Sequence, residues 1–263
     1  MSENSDKNLP IEAPDDPRNE KPLVEHLIEL RNRMVKAILA VVIVFLVLSP
    51  FMKQLFDALS HPLMVALPAG TKLLSTGVVA PFLVPLKVTL FVSFLIALPV
   101  VLYQAWAYVA PALYRQEKKL VLPVLVSSVA MFFVGVMYCY FVVFRFVFRF
   151  IAQFSPESVN FAPDIDSYFS FVLALFLAFG LTFEVPIIVV VLNRMGITSI
   201  SKLKKARPYM VVGAFVLAAI VTPPDVLSQC LLALPLVILY QVGIWLCAVF
   251  GKKDEPEEEN AES

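Results

Sequence analysis

The chain has 263 residues, of which 59% are hydrophobic and 16% charged, and its formal net charge is zero. An average soluble domain is about 45–50% apolar and about 25% charged. This composition argues against a cytosolic enzyme, a nucleic-acid-binding protein with a basic surface and a disordered chain. It indicates a polytopic membrane protein.

The N-terminal residues 1–20 are acidic and contain prolines, which is typical of a disordered tail and not of a cleavable signal peptide. Residues 21–36 predict an amphipathic helix, because Pro22 suits a first helical position and apolar residues recur at helical spacing. Glu29 and Arg33 stand four residues apart on this helix. Two interpretations stay open: a local ion pair, or an acidic ridge that binds a basic ligand.

Six apolar stretches, five of them free of charged residues, approach or exceed the length of about 20 residues that a helix needs to cross a bilayer core. They lack the alternating pattern of an outer-membrane barrel. We therefore predict an all-α membrane domain over residues 21–251 with six transmembrane helices, followed by an acidic tail over 252–263. The predicted spans are 37–52, 88–114, 120–144, 167–193 with one acid inside it, 208–224 and 226–251.

The distribution of lysine and arginine predicts the orientation. Sixteen of these residues lie on the side of the two termini and five lie on the opposite side. The positive-inside rule then places both termini in the cytoplasm, as expected for a multi-pass protein of the cytoplasmic (inner) membrane. The outer segment 51–87 is rich in proline and apolar residues, so we expect it to fold over the outer face of the bundle. The fifth span is short, at about 21 Å between Arg207 and Thr222.

Motifs that would indicate catalysis are absent from the sequence: it has no P-loop, no HExxH and no nucleophile elbow. His26 and His61 lie thirty-five residues apart without partners at metal-ligand spacing. The three cysteines lie in apolar runs, where packing is their expected role. We expect no catalytic residue, no cofactor and no bound metal, and therefore a protein that is not an enzyme.

Glu184 is the only charged residue inside a predicted span, and an intramembrane acid is a functional hypothesis by default. Pro186 removes a backbone donor and should loosen the helix around Thr182, while Gly180 permits close approach of another helix. Two interpretations stay open here as well. Glu184 is either a functional group, for example the protonation site of a proton-coupled small-solute carrier, or a hydrogen-bonded residue that holds helices together.

Three further polar residues lie at the ends of spans. Glu117 is the lone acid of the first cytoplasmic loop, where a solvated loop residue is the simplest interpretation. Asp225 and Gln229 lie at the outer turn before the last span. Asp225 suits the N-cap of that helix.

Four segments of the chain resemble the twin-arginine translocation C (TatC) family, in the family's order and at the matching spans. They are HLIELRNR (26–33), VAPALYRQEKK (109–119), AFGLTFEVP (178–186) and TPPDVLSQ (222–229). The resemblance extends from about residue 22 to residue 251 and leaves out the acidic tails. It implies a six-helix translocase core that binds the twin-arginine signal peptides of folded precursors. Single-span TatA- and TatB-type partners and the proton motive force are implied for transport.

The resemblance also implies roles for individual residues. Signal-peptide binding falls on Glu29 and Glu117, with Arg31, Arg33 and Tyr108 contributing. Intramembrane and partner contacts fall on Glu184, Pro62, Asp225 and Gln229. The implied partners are the twin-arginine signal peptides of folded precursors, the TatA- and TatB-type proteins, the lipid bilayer and further copies of the chain within the complex. No nucleic-acid partner is implied. A passive membrane scaffold remains a further alternative, and it would tolerate substitution of both signal-binding glutamates.

Overall fold

The computed structural model describes residues 21–66, 73–109, 118–148, 164–222 and 226–250. The regular secondary structure within these ranges is helical, and an isolated bridge between Leu74 and Asp164 is the only β pairing there. The helices are α1 (Lys21–Leu48), α2 (Met52–Ala66), α3 (Ala80–Val109), α4 (Lys118–Tyr138), α5 (Ile165–Phe183), α6 (Val185–Arg194), α7 (Ile200–Lys205), α8 (Arg207–Val221) and α9 (Val226–Phe250).

Five helical segments in the described ranges are long and apolar enough to cross a membrane: Leu27–His61, Ala80–Val109, Val121–Phe148, Ile165–Arg194 and Val226–Val249. The remaining predicted span corresponds to α8, whose 15 residues extend about 22 Å. The prediction of an all-α, multi-pass membrane protein is therefore confirmed, with five to six candidate membrane helices. The last helix begins directly after Asp225, as predicted.

The predicted amphipathic helix and the first predicted span form one continuous helix, α1. A short 3-10 turn, Ser49–Phe51, then joins α1 to α2. Large apolar side chains along α1, such as those of Ile38, Val42 and Leu46, are more than 40% exposed. Since α1 packs along α3, these exposed side chains form an apolar outer surface of the bundle.

The core of the bundle is built around α5, which packs against α4 and, through its apolar face, against α3 and α9. Phe169, Phe176 and Phe179 on α5 are fully or almost fully buried, and the Phe176 ring lies 5.0 Å from that of Phe144. In a bilayer, such helix contacts are held by close van der Waals packing and small residues at the interface.

Two glycines set the close approach of α4 and α5. A Cβ added at Gly135 on α4 would lie 2.5 Å from the Phe179 carbonyl oxygen. A Cβ added at Gly180 on α5 would overlap the ring of Phe132 on α4. The predicted close approach at Gly180 is confirmed, and it has a counterpart on the facing helix.

Part of the predicted outer segment 51–87 packs on the bundle, whereas residues 80–87 form the first two turns of α3 and residues 67–72 lie outside the described residues. Leu55, Phe56 and Leu59 of α2 pack against the main core, and the rings of Phe56 and Phe169 lie 4.8 Å apart. Position 62 falls within α2, although the Pro62 side chain lies outside the described part of the chain.

A clamp that we did not predict ties this outer segment to the start of α5. The Ile165 amide donates to the Leu74 carbonyl at 2.8 Å, and the Asp164 carboxylate caps α5 by accepting from the Ser167 amide at 3.0 Å. The same carboxylate accepts from the Thr76 amide at 3.1 Å and the Thr76 hydroxyl at 2.8 Å. These donors, the Ser167 and Thr76 amides above all, hold the pKa of Asp164 well below its usual range.

Candidate functional site

Glu29 and Arg33 form an ion pair on the N-terminal part of α1. The Arg33 Nη2 and Nε atoms donate to Glu29 Oε1 at 2.6 and 2.9 Å. The glutamate side chain is 44% exposed and the arginine side chain 26% exposed, so water reaches the pair. The predicted local ion pair is therefore present, and it shows that this carboxylate can bind a guanidinium group at the end of the bundle.

The other predicted signal-binding residues lie around the same end. Arg31 is exposed on α1, and Tyr108 is half-buried in the last turn of α3. Since α3 ends where α1 begins and the two helices pack together, Tyr108 shares an end of the bundle with Glu29. Glu117 lies outside the described residues, directly before the first residue of α4.

Glu184 occupies a break between α5 and α6. Its amide donates to the Leu181 carbonyl at 3.1 Å, a tighter turn than an α-helix makes, and α6 starts again at Val185. Pro186 stands in the first turn of α6 and supplies no backbone donor. The predicted irregularity before Pro186 is present, but it is a tight turn at Glu184 and not a loosening around Thr182, which lies within α5.

The Glu184 side chain points into the bundle and is 4% exposed. The fully buried hydroxyl of Ser128 on α4 faces its carboxyl group and itself accepts the Trp106 indole N–H at 2.8 Å. Within the described ranges, neither carboxyl oxygen has a donor in hydrogen-bond geometry. A buried acid with unsatisfied oxygens is unusual, because native proteins pair nearly all such groups.

The buried polar residues Glu184, Ser128 and Trp106 extend towards the end of the bundle that holds Glu29. Trp106 lies in the last turn of α3, two residues before Tyr108. Ser128 and Trp106 were not predicted from the sequence, because their contacts join different helices: Trp106 and Ser128 lie 22 residues apart, and Ser128 lies in a different helix from Glu184. The indole N–H of a buried tryptophan needs an acceptor, and this requirement was the one feature of the sequence that could have indicated a polar partner for Trp106.

The outer hairpin residues are only partly described. Gln229 is half-buried in the first turn of α9, and Asp225 lies outside the described residues. The neighbouring Thr222 ends α8 and donates its hydroxyl hydrogen to the Ala218 carbonyl at 2.8 Å. The structure therefore keeps Gln229 at the outer turn, far from the end of the bundle that holds Glu29.

No group of three or more metal-ligating side chains occurs within the ranges that the structure describes. Cys139, Cys230 and Cys247 are free thiols, and two of them are fully buried among apolar side chains. The predicted role in packing is confirmed for Cys139 and Cys247, while Cys230 is half-buried.

Comparison with known proteins shows the family. The family model for Sec-independent protein translocase protein (TatC) matches residues 25–235. The TatC of Escherichia coli (strain K12) is 48% identical over 91% of this chain and 93% of its own length. The TatC of Haemophilus influenzae is 43% identical over 89% and 92%, and that of Aquifex aeolicus is 38% identical over 88% and 97%.

Solved structures agree with the sequence relatives. A crystal structure described as the twin arginine translocase receptor TatC superposes with a TM-score of 0.75 at 37% identity and covers 85% of this chain and 98% of that one. A second structure of this receptor, in DDM, gives the same TM-score at 36% identity. The chain belongs to the TatC family and is a receptor component of the Sec-independent, twin-arginine protein translocase, a transport protein and not an enzyme.

Proposed function

We propose that this chain binds the twin-arginine signal peptides of folded precursors at its cytoplasmic face. The bound precursors are then exported in a process driven by the proton motive force. The observation that carries the proposal is the Glu29 carboxylate, which already accepts two guanidinium hydrogen bonds. Membership of the family decides against the proton-coupled solute carrier that Glu184 alone left open.

A ligand arginine can compete with Arg33 for the Glu29 carboxylate. Partly exposed ion pairs at i, i+4 on a helix contribute only about 0.3–0.5 kcal/mol, so a second guanidinium competes with Arg33 at little cost. Arginine offers a planar fork of donors that suits a carboxylate, whereas lysine is a point charge. We assign Glu117 as the primary contact and Glu29 as the second, with Arg31, Arg33 and Tyr108 around them.

The proposal includes an orientation and a location. Six spans with both termini in the cytoplasm place Glu29 and Glu117 on the same cytoplasmic side. The excess of basic residues on that side supports this orientation. A bacterial relative with nearly full-length coverage supports location in the cytoplasmic membrane.

We also propose that TatA- and TatB-type single-span proteins assemble on this chain, together with further copies of it. Glu184 is the intramembrane contact, while Pro62, Asp225 and Gln229 act at the outer side. The two unsatisfied carboxyl oxygens of Glu184 support this role, because a polar side chain from a partner helix would supply the missing donors. The contact requires the side chain to turn out of its buried position.

Cross-linking tests signal binding. A photoactivatable twin-arginine precursor is mixed with membranes that contain the wild-type chain, Glu117→Gln or Glu29→Gln, and the cross-linked product is quantified. We expect a strong loss for Glu117→Gln, a smaller loss for Glu29→Gln and a comparable loss for a twin-lysine precursor. Asp57→Asn, which removes one exposed acid on the opposite side, is the matched control. Undiminished cross-linking to Glu117→Gln would contradict the assignment.

Partner contact at Glu184 is tested separately. We expect Glu184→Ala to reduce co-purification of the single-span partners and transport while leaving the precursor cross-link near its wild-type level. Loss of the cross-link alone, with partner association intact, would refute this role.

A further inference from the structure

A cluster of basic residues stands on α7 and at the start of α8. Lys202, Lys204, Lys205 and Arg207 are all exposed, while Leu203 between them is buried. We call these four cationic residues the basic cluster. It lies at the end of the bundle where α1 begins, because the chain crosses the bundle four times before it, through α1, α3, α4 and the pair α5 and α6.

Among the described residues, no ion pair involves the basic cluster. Residues 185–222 contain no aspartate or glutamate. Among the residues that the structure describes, the ion pairs are Glu29–Arg33 and Lys87–Asp166, and neither involves the cluster. Four positive charges within six residues are therefore left uncompensated by the described part of the protein.

The backbone that carries these charges is fixed to the bundle. The Tyr240 hydroxyl on α9 donates to the Leu203 carbonyl at 2.9 Å in a buried contact. Leu203 packs with Tyr240, Ile244 and Cys247. At the start of α7, the Ser199 hydroxyl oxygen accepts from the Lys202 amide at 3.2 Å. The lysines are thus presented from an anchored helix and not from a free loop.

The basic cluster is recessed relative to the end of α9. From the shared outer turn, α8 extends about 22 Å to Arg207 and α9 about 37 Å to Phe250. The contact of Tyr240 with Leu203 gives the same depth, because Tyr240 lies ten residues, or about 15 Å, before the end of α9. Across a hydrocarbon core of about 30 Å, a helix that ends after 22 Å leaves its charges level with the acyl chains of the adjacent leaflet.

Apolar groups flank the recessed charges. Ile197 is 60% exposed before α7 and Tyr209 is 79% exposed in the first turn of α8. Exposed tyrosines are typical of the membrane–water interface. Basic residues of this kind between membrane helices attract anionic lipid headgroups.

We propose that the basic cluster is a binding site for the phosphate headgroup of an anionic phospholipid, which is drawn below the normal headgroup level at α7. The lysines meet the phosphate as point charges, and Tyr209 and Ile197 contact the first part of the acyl chains. The acidic segment 254–262 of this chain is the competing occupant, since it follows α9 on the same side of the membrane.

The test uses the purified full chain in neutral detergent and native mass spectrometry. Phosphatidylglycerol and phosphatidylcholine with identical acyl chains are titrated, and the affinity ratio of the two lipids is measured. We expect a preference for phosphatidylglycerol that falls about fivefold for each lysine removed, hence about 25-fold in Lys204→Gln/Lys205→Gln. The preference should weaken with added salt.

Two variants control for charge and folding. Lys204→Arg/Lys205→Arg keeps the charges and should keep the preference. Lys53→Gln/Arg145→Gln removes two exposed basic residues at the opposite end of the bundle and should leave the preference unchanged. Equal affinity for the two lipids, or an equal loss in this second variant, would overturn the proposal.

Two further arms identify other occupants. Removal of residues 252–263 should leave the lipid preference unchanged, and a preference that appears only after removal would show that the acidic segment holds the site. Millimolar inorganic phosphate should not displace the lipid. Displacement would show that the site recognises free phosphate, which would also overturn the proposal.

Discussion

Replacement of Gly135 by alanine tests whether the contact between α4 and α5 fixes the centre of the bundle. The new methyl group would lie 2.5 Å from the Phe179 carbonyl oxygen, where an ordinary contact begins near 3.4 Å. The two helices must therefore separate by about 0.9 Å. The clashing atom belongs to the backbone of α5, so it cannot be moved aside by a change of side-chain rotamer.

The magnitude follows from two opposing effects. Overpacking costs about 1–3 kcal/mol, and a rigid backbone carbonyl places the cost near the upper end. Alanine gains about 1 kcal/mol over glycine in a helix. The net loss is about 2 kcal/mol, which lowers Tm by about 4–8 °C for a chain of this size.

The assay is thermal unfolding of the purified chain in detergent, followed by intrinsic fluorescence. Gly213→Ala on α8 is the matched control, because a Cβ at Gly213 meets nothing within 4 Å. We expect this control to melt at the wild-type temperature or slightly above it. If Gly135→Ala also melts at or above the wild-type temperature, the close approach of α4 and α5 does not limit stability and the reasoning fails.

Two other contacts give separate predictions. Ser128→Ala removes the acceptor of the Trp106 N–H and should cost about 1–3 kcal/mol of stability, measured as a lower Tm, whereas Ala at the exposed Ser127 should change little. Asp164→Asn should speed hydrogen exchange at the Thr76 amide at neutral pH. Because the folded-state pKa of Asp164 is lowered, its contribution is present above its unfolded-state pKa near 3.8 and is lost as the pH falls further, so the two proteins should converge in strong acid. Equal exchange at neutral pH would refute the clamp.

Charge-free runs predicted most of the membrane helices because a charge rarely lies in the hydrocarbon core. They misplaced the start of α3, which begins at Ala80 and not near Val88. Lys87 is exposed at the helix surface and pairs with Asp166 at 2.7 Å, so it ends the hydrophobic run without ending the helix. The start of α5 was predicted at residue 167, two residues too late, for a similar reason. Asp166 ends the charge-free run without ending the helix, and the N-cap role of Asp164 becomes evident only from its contacts with Ser167 and Thr76.

The candidate site was predicted in part. The break at Glu184 follows from local chemistry, because Pro186 cannot donate to the preceding turn. The enclosure of Glu184 by Ser128 and Trp106 depends on which faces of α3 and α4 meet α5, and a single sequence with apolar residues all around each helix does not encode those faces. Long-range packing therefore decides whether the acid meets lipid or protein.

The continuity of α1 couples the proposed signal-binding end to the thickness of the bilayer. Glu29 stands about 12 Å from Ala37, where the charge-free run starts, on one uninterrupted helix of 28 residues. A change of 10° in the tilt of that helix moves Glu29 sideways by about 2 Å, as much as separates a formed carboxylate–guanidinium contact from a broken one. Helices adjust their tilt when the membrane thins or thickens. The thickness of the bilayer thus influences the position of Glu29, because α1 is continuous from Glu29 to the outer turn.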